Sequence, residues 1–282
     1  MTKLDSRLHA CRPDLADVRL RGRVEARQFT EGRPMRVVDP ILSVRREPRP
    51  DAMQVTQALM GEGVQVFDEQ EGWAWIQLEA DGYVGYVAAS GLRADGTTIT
   101  HKVSVPLTFL YPAPNLKSQP ATHLTMNAKL AVDGLEGGFA RLHGGGYVFP
   151  RHLAPCGEVS ADFVAVAELF LHAPYYWGGK SVQGLDCSGL VQLALEACGR
   201  QCPRDSDMQE SHLGLALPRG GRDGLLRGDL VFWNGHVGIM ADSQTLLHAN
   251  GNHMMVVAEP LDEAVSRIAA NYGEITSIRR VQ

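Results

Sequence analysis

One cysteine of this chain lies where it could act as a nucleophile. Cys187 follows Asp186 in residues 184–190, where a glycine-rich turn gives way to an apolar helical pattern. Backbone N–H groups at a helix N-terminus carry partial positive charge, which stabilises a thiolate and lowers the pKa of the thiol. The same groups can receive the oxyanion of an acyl transfer. We therefore predict that Cys187 is a nucleophile rather than a buried core cysteine.

Two histidines further along the chain could supply the base that a thiol nucleophile needs. His236 begins one strand-like run and His248 ends the next, twelve residues later. This separation suits a hairpin that places both imidazoles side by side on neighbouring strands. One imidazole could then face the thiol while the other orients it. The order of one cysteine and two histidines within a single domain predicts cysteine-dependent acyl transfer.

The elements that must position these residues form a mixed pattern after Pro155. Residues 161–171 predict a helix capped by Ser160 or Asp162, and a second helix begins near Asp186 and ends at Gly199. Strands are predicted at 229–233, 236–240 and 245–249, with 254–258 as a fourth. Helices followed by an antiparallel sheet predict an α+β domain over residues 157–282.

The N-terminal half shows short β-branched and aromatic runs separated by glycine and acidic turns. Runs at 64–67, 73–78 and 83–87 predict a small all-β barrel over residues 36–95. A weaker copy of this layout predicts a second barrel over residues 96–156. The arginine-rich residues 1–35 predict an arm or helical lead-in that packs onto another element.

Composition and charge argue against several classes of partner. The 282 residues are 44% hydrophobic and 21% charged, which is typical of a soluble protein, and the net charge is −5. We therefore expect no nucleic-acid partner, and no apolar run approaches the roughly 18 residues of a membrane helix. The first 20 residues lack the apolar core of a secretory signal, and the five cysteines suggest reduced thiols. These features predict a cytoplasmic protein with no membrane partner.

Metal and phosphate sites are weakly supported. Cys198 and Cys202, with His212 nearby, lack an evident fourth ligand for zinc. The glycines at 144–146 are not followed by the Lys-Ser/Thr pair of a phosphate loop. We expect no metal and no organic cofactor.

Six segments, in order along the chain, resemble the motifs of the NlpC-type bacterial cell-wall cysteine peptidases, which have a small papain-like fold. The two β modules resemble bacterial SH3-like domains. Two such modules before the peptidase domain resemble the γ-D-glutamyl-L-diamino-acid endopeptidases that recycle murein peptides. The resemblance implies that Cys187 is the nucleophile, His236 the general base and His248 the orienting residue. The segments are PYYWGG (174–179), LDCSGL (185–190), PRDS (203–206) with Gln209, GDLVFW (228–233), HVGI (236–239) and HA (248–249).

The same resemblance implies a substrate with a free L-Ala amino end. Asp205 fits the acidic position that would hold this ammonium group, since a buried ammonium is strongly favoured beside a carboxylate. Tyr175 matches the family tyrosine that lines the pocket, and its hydroxyl could help to polarise the scissile carbonyl. Asp186 and Ser188 flank the nucleophile and are candidates to bind the α-carboxylate side of D-Glu.

The first β module is expected to contribute a wall of the site. Tyr83 is the candidate, with a solvent-exposed barrel aromatic as the alternative interpretation. Glu62 and Glu69 could also face the cleft, and the sequence does not select between them.

The resemblance, together with these residues, implies a cysteine endopeptidase that cuts the γ-D-glutamyl–diamino-acid bond of free-ended murein peptides. The β modules would narrow the cleft and exclude intact wall. Three alternatives stay open: a hydrolase of intact peptidoglycan, a non-catalytic wall-peptide binding protein, and an acyltransferase that passes the thioester to an amine. The preferred diamino acid, meso-diaminopimelate or Lys, and the oligomeric state also stay open.

Overall fold

The computed structural model describes residues 4–94, 96–218 and 224–281. The chain divides into two compact units, Met1–Cys156 and Gly157–Gln282. The first unit is built from strands, whereas the second combines helices with one antiparallel sheet. In the described part of the chain, no helix is long and apolar enough to span a membrane.

The N-terminal segment is ordered against the first β module rather than helical. It contains a parallel pair, β1 (Leu15–Asp17) and β2 (Gln28–Thr30), and a single 3₁₀ turn at Val18–Leu20. Ala10 packs against Phe67 and Trp75. Packing onto the barrel, not helix propensity, therefore fixes this segment, and the expectation of a helical lead-in is wrong.

The first β module is a seven-stranded antiparallel sheet. Its strands are β3 (Arg33–Val37), β4 (Ile41–Arg45), β5 (Gln54–Leu59), β6 (Gly63–Gln70), β7 (Trp73–Leu78), β8 (Val84–Ala88) and β9 (Leu92–Arg93). They lie in the order β5-β4-β8-β7-β6-β3-β9. The β6–β7 hairpin turns through Glu71 and Gly72, which both have positive φ (50° and 79°), as the two-residue type I′ turn requires. Buried residues of β7 such as Trp75 and Ile76 contribute to its core.

The second β module consists of three small sheets around a core that includes Val103, Leu124 and Leu142. Two of its strands, at 107–110 and 122–125, fall where the sequence predicts none. Outward Leu107 and Phe109 hide the polar alternation by which a half-buried strand is recognised. An SH3-like fold for this module stays a prediction. The strands are β10 (His101–Val103), β11 (Leu107–Leu110), β12 (Thr122–Thr125), β13 (Lys129–Leu130), β14 (Val132–Glu136), β15 (Phe139–Leu142), β16 (Tyr147–Val148) and β17 (Leu153–Pro155).

The second unit packs helices against a six-stranded antiparallel sheet. Its elements are α1 (Phe163–Glu168), β18 (Lys180–Ser181), β19 (Gly184–Leu185), α2 (Cys187–Ala197), α3 (Ser206–His212), β20 (Leu215–Ala216), β21 (Asp229–Trp233), β22 (His236–Met240), β23 (Thr245–Asn250), β24 (Met255–Pro260), α4 (Leu261–Tyr272) and β25 (Ser277–Arg280). The sheet order is β20-β25-β21-β22-β23-β24. This is the α+β architecture that the sequence predicts.

Helix α2 is almost wholly buried, including its first residue, Cys187. The side chain of Asp186 caps it by accepting a hydrogen bond from the Gly189 N–H at 2.7 Å. The helix ends before Gly199, which adopts φ +72°. Helix α1 ends earlier than predicted, because the chain turns at His172 (φ 69°) ahead of Pro174. Helix α4 was not predicted, although its buried Leu261, Ala264 and Ile268 follow a helical spacing.

Candidate active site

The sulfur of Cys187 lies at the N-terminus of α2, with only 9% of the residue exposed. Burial, reinforced by the Asp186 carboxylate, raises the pKa of the thiol to about 12. Hydrogen bonds from the backbone N–H groups of Val237 and Ser188 act in the opposite direction but are outweighed. The predicted lowering of the thiol pKa is therefore wrong, because loss of hydration exceeds the effect of the helix terminus. The resting thiol is protonated at neutral pH and needs a base.

The two predicted histidines lie on the hairpin whose backbone hydrogen-bonds the thiol. His236 begins β22, and the next residue, Val237, supplies the backbone N–H that bonds the sulfur. Nε2 of His236 lies 2.8 Å from Nδ1 of His248 on β23. The hairpin thus brings together the cysteine and both histidines that the sequence singled out.

Both imidazoles are neutral at pH 7. Burial, together with the nearby His248 and the positive charge of Arg267, lowers the pKa of His236 to about 3. Burial also lowers the pKa of His248, although Glu259 opposes the shift. A neutral imidazole beside a protonated thiol is the arrangement needed for proton transfer at the moment of attack.

A carboxylate that the sequence did not single out completes this row of side chains. Nε2 of His248 lies 2.6 Å from Oε1 of Glu259, which also pairs with Arg267. The β23–β24 register sets His248 opposite Val257, so Glu259 lies two residues further along on the same face. The β23–β24 register could have identified Glu259 from the sequence, but only if β24 had been predicted to extend as far as Pro260.

Asp186 and Ser188 belong to a buried network centred on Arg204. The guanidinium, 1% exposed, donates to both carboxylate oxygens of Asp186 at 2.7 and 2.9 Å and to the Ser188 Oγ at 2.8 Å. Asp186 also accepts a hydrogen bond from the Gly178 N–H at 2.8 Å. The side chains of Asp186 and Ser188 therefore hold the turn that carries the nucleophile, and their role in binding D-Glu stays a prediction.

Tyr175 lies close enough to Cys187 for the two groups to interact electrostatically. Burial, then the charges of Cys187 and Asp186, raise the pKa of the Tyr175 hydroxyl above its ordinary value. Its backbone N–H donates to the Met254 carbonyl at 2.9 Å, which fixes this segment beside β24. A protonated phenol next to the thiol can donate a hydrogen bond to an oxygen of the reacting carbonyl.

The remaining predicted substrate contacts belong to both units of the chain. Asp205 occupies the residue before α3, half-buried, without capping that helix through its side chain. Tyr83, in the first unit, is only 4% exposed, so the alternative of a solvent-exposed aromatic is wrong. Glu62 is buried and accepts a hydrogen bond from the Leu59 N–H, whereas Glu69 pairs with Arg33. The predicted roles of Asp205 and Tyr83 in substrate binding are untested by these positions.

We expect kcat/KM to change little between pH 7 and pH 5. The base must be neutral to act, and with a pKa of about 3 His236 loses this form only as the pH falls towards that value. An ordinary histidine would lose roughly 30-fold of its neutral form by pH 5. The profile can be measured from pH 4 to pH 8 with the peptide substrate that the resemblance in sequence implies. An acidic limb centred between pH 6 and 7 would contradict the buried, neutral state of His236.

Each of the two units contains a segment that matches a known protein family. Residues 172–271 match the NlpC/P60 family, and residues 44–92, within the first β module, match the bacterial dipeptidyl-peptidase Sh3 domain. The first module is accordingly an SH3-like domain.

Curated relatives and one solved structure extend the match over both units. A gamma-D-glutamyl-L-lysine dipeptidyl-peptidase of Bacillus subtilis is 28% identical over 214 residues, covering 71% of each chain. A Bacillus cereus protein of the same name is 28% identical over 202 residues, covering 63% of this chain and 59% of the relative. The crystal structure of an NlpC/P60 family protein from Bacillus cereus aligns with a TM-score of 0.73 over 88% of this chain and 99% of that one, at 20% identity. At this identity the structural match establishes a common fold.

Proposed function

We propose that this chain, a cysteine peptidase whose second unit belongs to the NlpC/P60 family, hydrolyses the γ-D-glutamyl–diamino-acid bond of murein peptides. We further propose that the substrates are peptides with a free L-Ala amino end. The observation that carries it is that Cys187, at the start of a buried helix, is hydrogen-bonded by the backbone N–H next to His236, whose ring lies 2.8 Å from that of His248. Two curated relatives named as γ-D-glutamyl-L-lysine dipeptidyl-peptidases support the choice of bond.

The first half-reaction forms a thioester. His236 takes the proton of Cys187 as the sulfur attacks the γ-carbonyl carbon of D-Glu, forming a C–S bond and an oxyanion. The N-terminus of α2 and the Tyr175 hydroxyl would stabilise that oxyanion. The C–N bond then breaks, and His236 returns the proton to the departing amine of the diamino acid.

The second half-reaction releases the dipeptide. A water molecule gives a proton to His236 and attacks the thioester carbon. The C–S bond breaks and the sulfur recovers the proton, so L-Ala-D-Glu leaves and the resting thiol is regenerated. Each proton removed from a nucleophile returns to the leaving group, so the enzyme ends as it began.

Selection of the free amino end is assigned to Asp205. Its carboxylate would pair with the L-Ala ammonium, and a neutral acetylated end would leave that carboxylate without its partner. Such selection suits peptides already released from the wall, as recycling in the cytoplasm would supply. Murein-derived peptides are therefore the proposed partners.

We expect N-acetylation of L-Ala-γ-D-Glu-meso-diaminopimelate to lower kcat/KM by about 100-fold or more, the loss typical of truncating one partner of a buried charge pair. The measurement is mass-spectrometric release of L-Ala-D-Glu from the free tripeptide and from its acetylated twin. Purified sacculi serve as a third substrate.

The matched variant is Asp205→Asn, which keeps the size of the side chain. It should slow cleavage of the free peptide much more than cleavage of the acetylated twin. Equal cleavage of both peptides by the unaltered protein would contradict the proposed selection. Faster cleavage of sacculi than of either peptide would favour the alternative, a hydrolase of intact peptidoglycan.

A further inference from the structure

His248 lies between two polar partners in the core of the second unit. The residue is 1% exposed, its Nδ1 lies 2.8 Å from Nε2 of His236, and its Nε2 lies 2.6 Å from Oε1 of Glu259. Glu259 comes from β24, the edge strand of the sheet, and pairs with Arg267 of α4. Three strands and one helix thus contribute to a single row of side chains.

The Glu259 carboxylate is ionised at neutral pH. Burial opposes ionisation, but the hydrogen bond with His248 and the positive charge of Arg267 lower the pKa of the carboxyl group. An ionised carboxylate only accepts hydrogen bonds. In the 2.6 Å contact, the donor must therefore be the Nε2–H of His248.

The proton on Nε2 of His248 determines the state of the next ring. A neutral imidazole carries one N–H, so Nδ1 of His248 can only accept. In the 2.8 Å contact between the rings, Nε2 of His236 is then the donor. Nδ1 of His236 then carries a lone pair and no proton. In this tautomer His236 can receive a proton from Cys187.

We propose that Glu259 is a positioning residue of the peptidase, which sets the tautomers of His248 and, through it, of His236. The inference rests on the proposed roles of Cys187 and His236. Glu259 contacts His248 and Arg267. It acts by holding the proton of His248 on Nε2, which keeps the Nδ1 lone pair of His236 available to the thiol.

The same row stabilises the charge that develops during attack. When His236 takes the proton from Cys187, its ring becomes an imidazolium whose Nε2–H donates to His248. The carboxylate at the far end of the row makes His248 a better acceptor, as a carboxylate does for a metal-bound histidine. Asn250 also lies beside His248, with its Nδ2 3.0 Å from Nε2, and its Oδ1 accepts from the His253 N–H. Nδ2 of Asn250 is therefore a donor and cannot accept the Nε2–H of His248, whereas the ionised Glu259 carboxylate, in the shorter contact of 2.6 Å, can.

The test uses Glu259→Gln, which keeps the length of the side chain but removes its charge. We expect kcat for the free tripeptide to fall by about 10- to 100-fold, with KM within about twofold of the unaltered protein. Thermal unfolding is measured in parallel. A kcat within about threefold of that of the unaltered protein would overturn the proposal.

A second measurement requires no substrate. Long-range ¹H–¹⁵N NMR spectra of the unaltered protein should show the Nε2–H tautomer for both His236 and His248. The Glu259→Gln protein should show a mixture. An Nδ1–H tautomer of His248 in the unaltered protein would overturn the proposal, as would a loss of kcat with both tautomers unchanged. Because no substrate is involved, failure of this inference is distinguishable from failure of the proposed function.

Discussion

Cys187→Ala is expected to lower kcat/KM for L-Ala-γ-D-Glu-meso-diaminopimelate by about 10⁴-fold or more, in line with the loss of a nucleophile in other hydrolases. The variant removes the only atom proposed to form a bond with the substrate. Its effect on the fold should be small, because alanine is the best helix former and Asp186 still caps α2. The measurement is mass-spectrometric detection of released L-Ala-D-Glu.

A matched control distinguishes this loss from a general effect of removing a thiol. Cys156 is exposed and lies at the end of the first unit, so Cys156→Ala should retain full turnover. Turnover by Cys187→Ala within about tenfold of that of the unaltered protein would show that another group is the nucleophile. Binding of the peptide by the unaltered protein and by Cys187→Ala, without turnover by either, would instead favour the wall-peptide binding alternative.

Arg204→Met is expected to lower the free energy of unfolding by about 3–5 kcal/mol, the usual cost of leaving one partner of a buried ion pair. Arg204 is 1% exposed and binds both carboxylate oxygens of Asp186. Methionine matches the length of the apolar stem but leaves the Asp186 charge buried without its cation. Urea unfolding measures the change.

The double variant Arg204→Met with Asp186→Asn separates charge from packing. Asparagine is also a good helix cap, so removal of both charges should recover much of the stability lost in the single variant. A loss below about 1 kcal/mol for Arg204→Met, or no recovery in the double variant, would contradict the role assigned to this pair.

Alkylation of Cys187 should slow in Arg204→Met, since the guanidinium lowers the pKa of the thiol.

The frame of the active site could be predicted from the sequence. Strands β21 and β22 begin and end where their apolar runs are bounded by turns, and α2 begins after Asp186 as predicted. These features depend on local patterns, namely a capping residue and alternating side chains. The hairpin separation of His236 and His248 is also local, and the structure places their rings 2.8 Å apart.

The electrostatic state of the site could not be predicted in the same way. Whether the thiol pKa rises or falls depends on how completely α2 is buried, which involves elements from the whole second unit. Arg204 is separated by 18 positions from its partner Asp186, and no periodic pattern relates the two. Glu259 requires the β23–β24 register and the contact with α4, and α4 itself was not predicted.

Cys187 is proposed to carry L-Ala-D-Glu as a thioester during turnover. The most direct measurement is mass-spectrometric analysis of products formed in the presence of hydroxylamine, from two tripeptides that end in meso-diaminopimelate or in Lys. A common thioester predicts L-Ala-D-Glu hydroxamate and L-Ala-D-Glu in the same ratio from both tripeptides, because the diamino acid has already left. Absence of the hydroxamate, or a ratio that depends on the departing diamino acid, would contradict the account.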